Sequence, residues 1–201
     1  MTHQFAELAF TPAVQVFQER MGSRRAYAKA EGGPVQHDRL GKAEMAFIQA
    51  RDSFYMATVS ETGWPYIQHR GGPAGFVRVL DEKTLGFSDY RGNRQYVSLG
   101  NLSRNNRVAL FFMDYPDQAR LKLLGRARPV ELDEEPELAT KLAIPDYKAK
   151  VERCFLISIE AFDWNCKQHI TPRFTAAEVS AAIAPLQQRI RELEKLVERE
   201  A

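Results

Sequence analysis

The sequence predicts a mainly β, α+β fold: six antiparallel strands wrapped into a barrel, flanked by helices and followed by a C-terminal amphipathic helix. Three observations predict it. Short aromatic and β-branched runs recur from Phe54 onward, separated by links of turn length. Antiparallel strands joined so tightly favour a barrel, because closure removes exposed sheet edges. After Thr175 the apolar residues change to steps of four and three, the spacing of a helix seam.

The elements follow in order. Thr11-Pro12 is a helix start, a capping residue before a proline at the first helical position. Val14, Phe17 and Met21 give the segment to about Ala30 one apolar face, and Gly32-Gly33-Pro34 breaks it. A second amphipathic helix is expected over Arg39 to Ala50, with Leu40, Met45, Phe47 and Ile48 on its buried side. Phe54-Tyr55-Met56-Ala57-Thr58-Val59 reads as a strand, turning at Glu61-Thr62-Gly63 into Trp64 to Arg70. Phe76 to Leu80 and Thr84 to Ser88 form a hairpin around Asp81-Glu82-Lys83. Tyr96, Leu99 and Leu102 place a short helix over Arg94 to Asn105. Strands follow at Arg107 to Asp114 and Arg120 to Val130, then an acidic helix from Asp133 to Leu142 and a last strand from Cys154 to Ala161.

The tail carries the clearest local signal. Thr175 and Glu178 make a capping box, with Phe174 and Val179 placed for a hydrophobic staple. Val179, Ile183, Leu186, Ile190, Leu193 and Val197 form an a/d seam. Two readings stand: the seam packs on the chain's own barrel, or it pairs with a second subunit.

Composition excludes several classes. With 44% hydrophobic and 10% aromatic residues among 201, the chain has the apolar surface for one core. A net charge of +2 gives no bulk pull toward nucleic acid or membrane. The N-terminus has no positive region followed by an apolar core, so a cytoplasmic protein is expected, with Cys154 and Cys166 as reduced thiols. Cys166 and His169 have C-x-x-H spacing, but no second pair exists and no metal site is expected. G-x-S-x-G, G-x-G-x-x-G and the P-loop motif are absent.

The basic residues gather at strand ends. Arg70 precedes Gly71-Gly72-Pro73-Ala74-Gly75; Arg91 and Arg94 lie in Asp89-Tyr90-Arg91-Gly92-Asn93-Arg94; Arg120 and Lys122 open the long strand. Charged donors beside a helix N-terminus are what a phosphate dianion needs. Each alone is an ordinary surface charge; the barrel hairpins are what can bring them together. Asp163 to Phe174 is dense in aromatic and hydrogen-bonding groups without periodicity, the texture of a ligand-facing loop or of a structured connection.

In order, these segments resemble the pyridoxamine 5'-phosphate oxidase-like FMN-binding split barrels. The resemblance runs from about Gly41 to Phe174. It rests on the strand at Phe54, Gly86-Phe87-Ser88-Asp89, Asn93-Arg94, Asn105-Asn106-Arg107-Val108-Ala109-Leu110-Phe111-Phe112, Leu121-Lys122-Leu123-Leu124-Gly125-Arg126-Ala127, and the closing Trp164, Gln168-His169 and Arg173-Phe174. Ile170 stands where the oxidase has a basic residue that helps hold pyridoxal phosphate, which sets that substrate aside and leaves FMN.

The resemblance implies an antiparallel six-stranded split β-barrel over 41–174, with 1–40 as a helical extension and 175–201 as the tail helix. It implies a homodimer with flavin mononucleotide (FMN) at the interface, and oxidoreductase chemistry on an unidentified small molecule. By position, Arg70 and Gly71 line the flavin, and Ser88 and Asp89 follow its ribityl chain and ring. Asn93 and Arg94, with Arg91, grip the phosphate. Arg120, beside Lys122 on the long strand, stands near the ring, where a cation favours an anionic reduced flavin. Trp164 and Arg173 come from the other subunit. A flavin or haem carrier or sensor on the same barrel is the alternative, and the deazaflavin F420 is the alternative cofactor.

Overall fold

A computed structural model describes residues 2–31, 35–164 and 167–200. The described residues within Met1–Met113 and Arg120–Cys166 form one compact unit, and those within Asp114–Ala119 and Lys167–Ala201 form a second.

The first unit opens with a two-residue strand β1 (Thr2–His3), helices α1 (Gln4–Ala9), α2 (Pro12–Arg20) and α3 (Arg24–Tyr27), a 3-10 turn (Ala28–Ala30) and strand β2 (Val35–Gln36), which pairs in parallel with β1. The single helix expected from Thr11 to Ala30 is therefore interrupted. Gly22 takes a left-handed φ of 75°, and the Ser23 and Gly22 amides bond back to the Gln18 and Glu19 carbonyls at 2.8 and 3.0 Å. That pattern closes a helix end.

After α4 (Lys42–Gln49) come β3 (Ser53–Val59), β4 (Pro65–Gly71), β5 (Arg78–Asp81) and β6 (Thr84–Tyr90); then α5 (Val97–Leu102), β7 (Arg107–Asp114), β8 (Ala119–Val130), α6 (Pro136–Leu142) and β9 (Val151–Trp164). The strands form one antiparallel sheet of seven, one more than expected, in the order β4-β3-β7-β8-β9-β6-β5. Fourteen-residue β9 makes the curl possible: Cys154–Trp164 pairs with β8 while Val151–Ser158 pairs with β6.

Alternation explains why these segments are strands. Phe54, Met56 and Thr58 of β3 turn inward, as do Val108, Leu110 and Phe112 of β7, and Leu121, Leu123 and Ala127 of β8. They share one core with Phe87 and Phe155. Phe54 stacks on Phe112 at 5.0 Å and meets Phe87 edge-on at 5.3 Å; Phe87 stacks on Phe155, also at 5.3 Å. Aromatic contacts between β3, β7, β6 and β9 thus run through the interior, which requires the sheet to wrap on itself. The β3–β4 turn uses Gly63 at φ 88°, a conformation that an L side chain resists.

Gly125 sits where β8 slips register against β9, and a Cβ there would lie 2.6 Å from the Ser158 carbonyl oxygen. The obstacle is backbone, so it cannot swing aside. Gly125→Ala is expected to cost about 1–3 kcal/mol, as overpacking does, read as a lower urea midpoint at unchanged m-value. An unmoved midpoint would mean that the bulge relaxes freely.

In the second unit, α7 (Ala176–Glu200) begins at the expected capping box: the Thr175 amide and hydroxyl donate to the Glu178 carboxylate at 2.7 and 2.8 Å, and the Glu178 amide donates to the Thr175 hydroxyl at 3.2 Å. All six seam residues of α7 are exposed. No helix among the described residues is long and apolar enough to cross a membrane.

Candidate functional site

Strand β4 turns Tyr66, Gln68 and Arg70 to one side by simple alternation. The Arg70 guanidinium lies over the rings of Phe87 and Phe155, at 5.4 and 4.9 Å from their centres. It donates to Asp89 at 2.5 Å. Because β4 is an edge strand and β6 lies near the other edge, this ion pair ties together strands that are not neighbours in the sheet. Arg153 stands opposite Asp89 in the β6–β9 register and donates to its second oxygen at 3.1 Å. Side-chain exposures of 10%, 16% and 11% for Arg70, Asp89 and Arg153 make this a largely buried triad. The Arg70 Nε is buried and has no hydrogen-bond partner among the described residues.

Beside the triad, Glu152 accepts hydrogen bonds from Arg91 Nε at 2.8 Å and the Tyr96 hydroxyl at 3.3 Å. The Arg91 bond is the main reason its carboxyl is held below the usual carboxylate range, with Tyr96 and the nearby Arg91 and Arg153 charges adding to it. These contacts pin the 91–96 loop. The expected helix over Arg94 to Asn105 starts only at Val97, because Arg94 and Tyr96 both take left-handed backbone, φ 59° and 52°. The Asn93 side chain accepts from the Gln95 amide at 3.1 Å, a local turn that competes with helix. Asn93 and Arg94 therefore lie in a loop before α5 rather than at its first turn. Two non-glycine residues with positive φ within three positions are uncommon and concentrate at functional sites. Ser98 bonds Gln68 at 3.0 Å and buried Asn101 bonds Thr58 at 2.9 Å, fastening α5 to β4 and β3.

The loop, β4 and β6 enclose a cavity of about 210 Å³. Six of the expected residues line it: Arg70, Gly71, Ser88, Asp89, Asn93 and Arg94. Arg91 braces its Glu152 wall. Five of the six already make side-chain hydrogen bonds: Arg70 with Asp89, Asn93 with the Gln95 amide and Arg94 with the Tyr96 hydroxyl, besides Ser88 and Asp89. Ser88 is buried and donates to the Leu142 carbonyl at 3.1 Å, and the Asp89 carboxylate is taken up by two arginines.

Arg120, Lys122 and Trp164 do not line this cavity. Arg120 opens β8 with its Nε buried and without a hydrogen-bond partner among the described residues. Lys122 pairs with Asp163 at 2.8 Å and lies over the Phe5 ring. Trp164 donates to Glu44 at 2.7 Å and meets Phe47 edge-on. In the second unit, the Arg173 guanidinium lies over Tyr115 at 4.8 Å. Asn165 and Cys166, and with Cys166 the C-x-x-H spacing, fall outside the described residues. Cys154 is a buried free thiol whose pKa burial pushes up, which works against forming the thiolate.

Gln68, Tyr96, Ser98, Glu152 and Arg153 were missed from the sequence. Gln68 was accessible through its two-residue offset from Arg70. Arg153 was not, since its place depends on the register of strands some sixty residues apart.

The donor set suits a phosphorylated ligand. It offers a guanidinium with an unused buried N–H, a second guanidinium in the loop, and amide and hydroxyl side chains between them. Pockets for whole ligands of cofactor size run about 300–1,000 Å³, so this cavity has room for one end of such a molecule.

The sequence profile of the pyridoxamine 5'-phosphate oxidase family matches residues 40–179. Among solved structures, HupZ of Group A Streptococcus is similar at 19% identity and a TM-score of 0.50, covering 67% of this chain and 100% of that one. A single-substitution variant of HupZ from Group A Streptococcus gives 19% identity, a TM-score of 0.50, and 62% and 98% coverage. At that identity the likeness concerns the fold. No curated protein matches the chain.

Proposed function

This chain belongs to the pyridoxamine 5'-phosphate oxidase family, and from that premise we propose that it is an FMN-dependent oxidoreductase working as a homodimer on a small molecule. One observation carries the cofactor assignment: the cavity holds Arg70, with a buried Nε lacking a partner, and Arg94 on a strained loop. A phosphorylated flavin answers both, its phosphate at Arg94 and its ribityl oxygens at Arg70. When bound, FMN supplies the hydride and electron chemistry, and the chain binds and orients it. Arg94 and Asn93 hold the phosphate end, with Arg91 bracing the loop through Glu152. Arg70 and Gly71 border the ribityl chain, and Ser88 contributes its position rather than its proton, which Leu142 already takes. Asp89 acts at one remove, by holding Arg70 in place.

Trp164 and Arg173 are assigned to the FMN of a second copy. Arg120 and Lys122 go with them, because Leu121 pairs with Trp164 and Lys122 with Asp163 across the β8–β9 ladder. The division into a 1–40 extension, a 41–174 barrel and a 175–201 tail, and a cytoplasmic setting, belong to the same proposal.

The test is the absorption spectrum of the purified chain, followed by anaerobic addition of NADH or NADPH. A yellow protein carrying one FMN per chain and bleached by the nicotinamide is the expected result. A colourless protein, or a Soret band, would overturn the cofactor. Bound FMN that neither nucleotide nor substrate reduces would make the protein a carrier.

A further inference from the structure

We propose that the tail helix pairs with the same helix of a second copy, as a parallel, in-register, two-stranded coiled coil. This goes beyond the cofactor reading and does not rest on it. The steps of four and three put Ile183, Ile190 and Val197 at a positions and Val179, Leu186 and Leu193 at d positions. β-Branched residues at a with leucine at d, as at all three a positions and at Leu186 and Leu193, are the combination that selects two parallel strands over three or four. All six side chains are exposed on the single chain, and an apolar stripe of this length marks an interaction surface.

Charge fixes the partner and its direction. Arg189 falls at a g position and Glu194 at the following e position. In a parallel pair these face each other across the seam, twice by symmetry, and opposite charges there set partner choice and orientation. Within the chain Arg189 bonds Glu192 at 3.0 Å in an exposed i,i+3 pair that holds it weakly. Leu196, the next g residue, is also exposed and widens the apolar strip on the seam side. Pro185 falls at a c position, away from the seam, and α7 continues through it. A second copy is therefore the occupant whose chemistry the helix already matches.

Disulfide trapping in the full chain tests this, with Cys154→Ala and Cys166→Ser as background and oxidised glutathione as oxidant. Ile183→Cys and Val197→Cys, near opposite ends of the seam, are each expected to give mostly covalent dimer. Gln188→Cys, on the outer face, is expected to stay monomeric on a non-reducing gel. Arg189→Glu is expected to lower the Val197→Cys yield several-fold, and adding Glu194→Arg to restore it. A monomeric Val197→Cys protein, equal trapping through Gln188→Cys, or indifference to charge reversal would overturn the proposal. A dimer held only through the barrel would leave Val197→Cys untrapped, so the two kinds of association give different gels.

Discussion

Asp89→Ala is expected to lower folding stability by about 3–5 kcal/mol, the range for removing one partner of a buried ion pair. The carboxylate serves two guanidinium groups, and all three side chains are at most 16% exposed. The loss is not shared equally. Arg153 keeps Glu131 at 3.4 Å and Glu152 at 3.7 Å, whereas among the described residues Arg70 keeps the faces of Phe87 and Phe155. Arg70 would then be a largely buried cation beside aromatic rings with no anion. The ion pair also links β4 to β6, so its loss frees an edge strand as well as a charge. Urea unfolding of the purified variant measures the cost. A drop below about 1 kcal/mol would place the triad among exposed pairs and imply that water reaches Arg70. FMN or inorganic phosphate should return part of the loss, because any ligand that binds only the folded state stabilises it, by about 2.7 kcal/mol at a hundredfold excess over Kd. A variant that gained nothing from either anion would separate the triad from the ligand site.

How far the sequence reveals this molecule depends on the range over which each feature is decided. Strands whose inward faces are decided by neighbours two residues away, such as Phe54, Met56 and Thr58, are legible from composition and alternation. The Thr175–Glu178 cap is legible because both partners lie within one helical turn. Features decided by backbone handedness are not. Tyr96, Leu99 and Leu102 have helical spacing, yet Arg94 and Tyr96 adopt left-handed φ values that the loop imposes through Asn93 and Glu152. Features decided by register are hidden for another reason. Arg153 meets Asp89, and Lys122 meets Asp163, only after β9 has chosen its alignment with β6 and β8. Strand-end arginines were therefore recognisable as a class, while their division between the cavity and the β8 start was not. Arg70 and Arg94 share a cavity, and Arg120 does not line it.

That division makes Arg94 the sharper probe of the ligand. Arg94→Ala is expected to weaken FMN binding by about 1.5–3 kcal/mol, the worth of a charge-assisted hydrogen bond, or roughly ten- to 150-fold in Kd. Folding stability should stay within about 0.5 kcal/mol, because the side chain is exposed and its one hydrogen bond among the described residues is to the Tyr96 hydroxyl at 3.2 Å. The alanine variant keeps the same Cβ strain as the wild type, since both residues carry a Cβ at φ 59°. Arg94→Gly removes the same charge and also relaxes the loop, because glycine accepts that φ without strain. Equal losses in the two variants, measured by flavin fluorescence quenching, would assign the effect to the guanidinium. A larger loss in glycine than in alanine would show that loop geometry adds to the effect. Wild-type affinity in both would remove Arg94 from the phosphate end, leaving Arg70 as the cavity cation with an unused buried donor. Raising the salt concentration separates the arginines further: a screened, exposed Arg94 contact should fade within a Debye length of about 8–10 Å at physiological ionic strength, while the buried Arg70 contribution should persist.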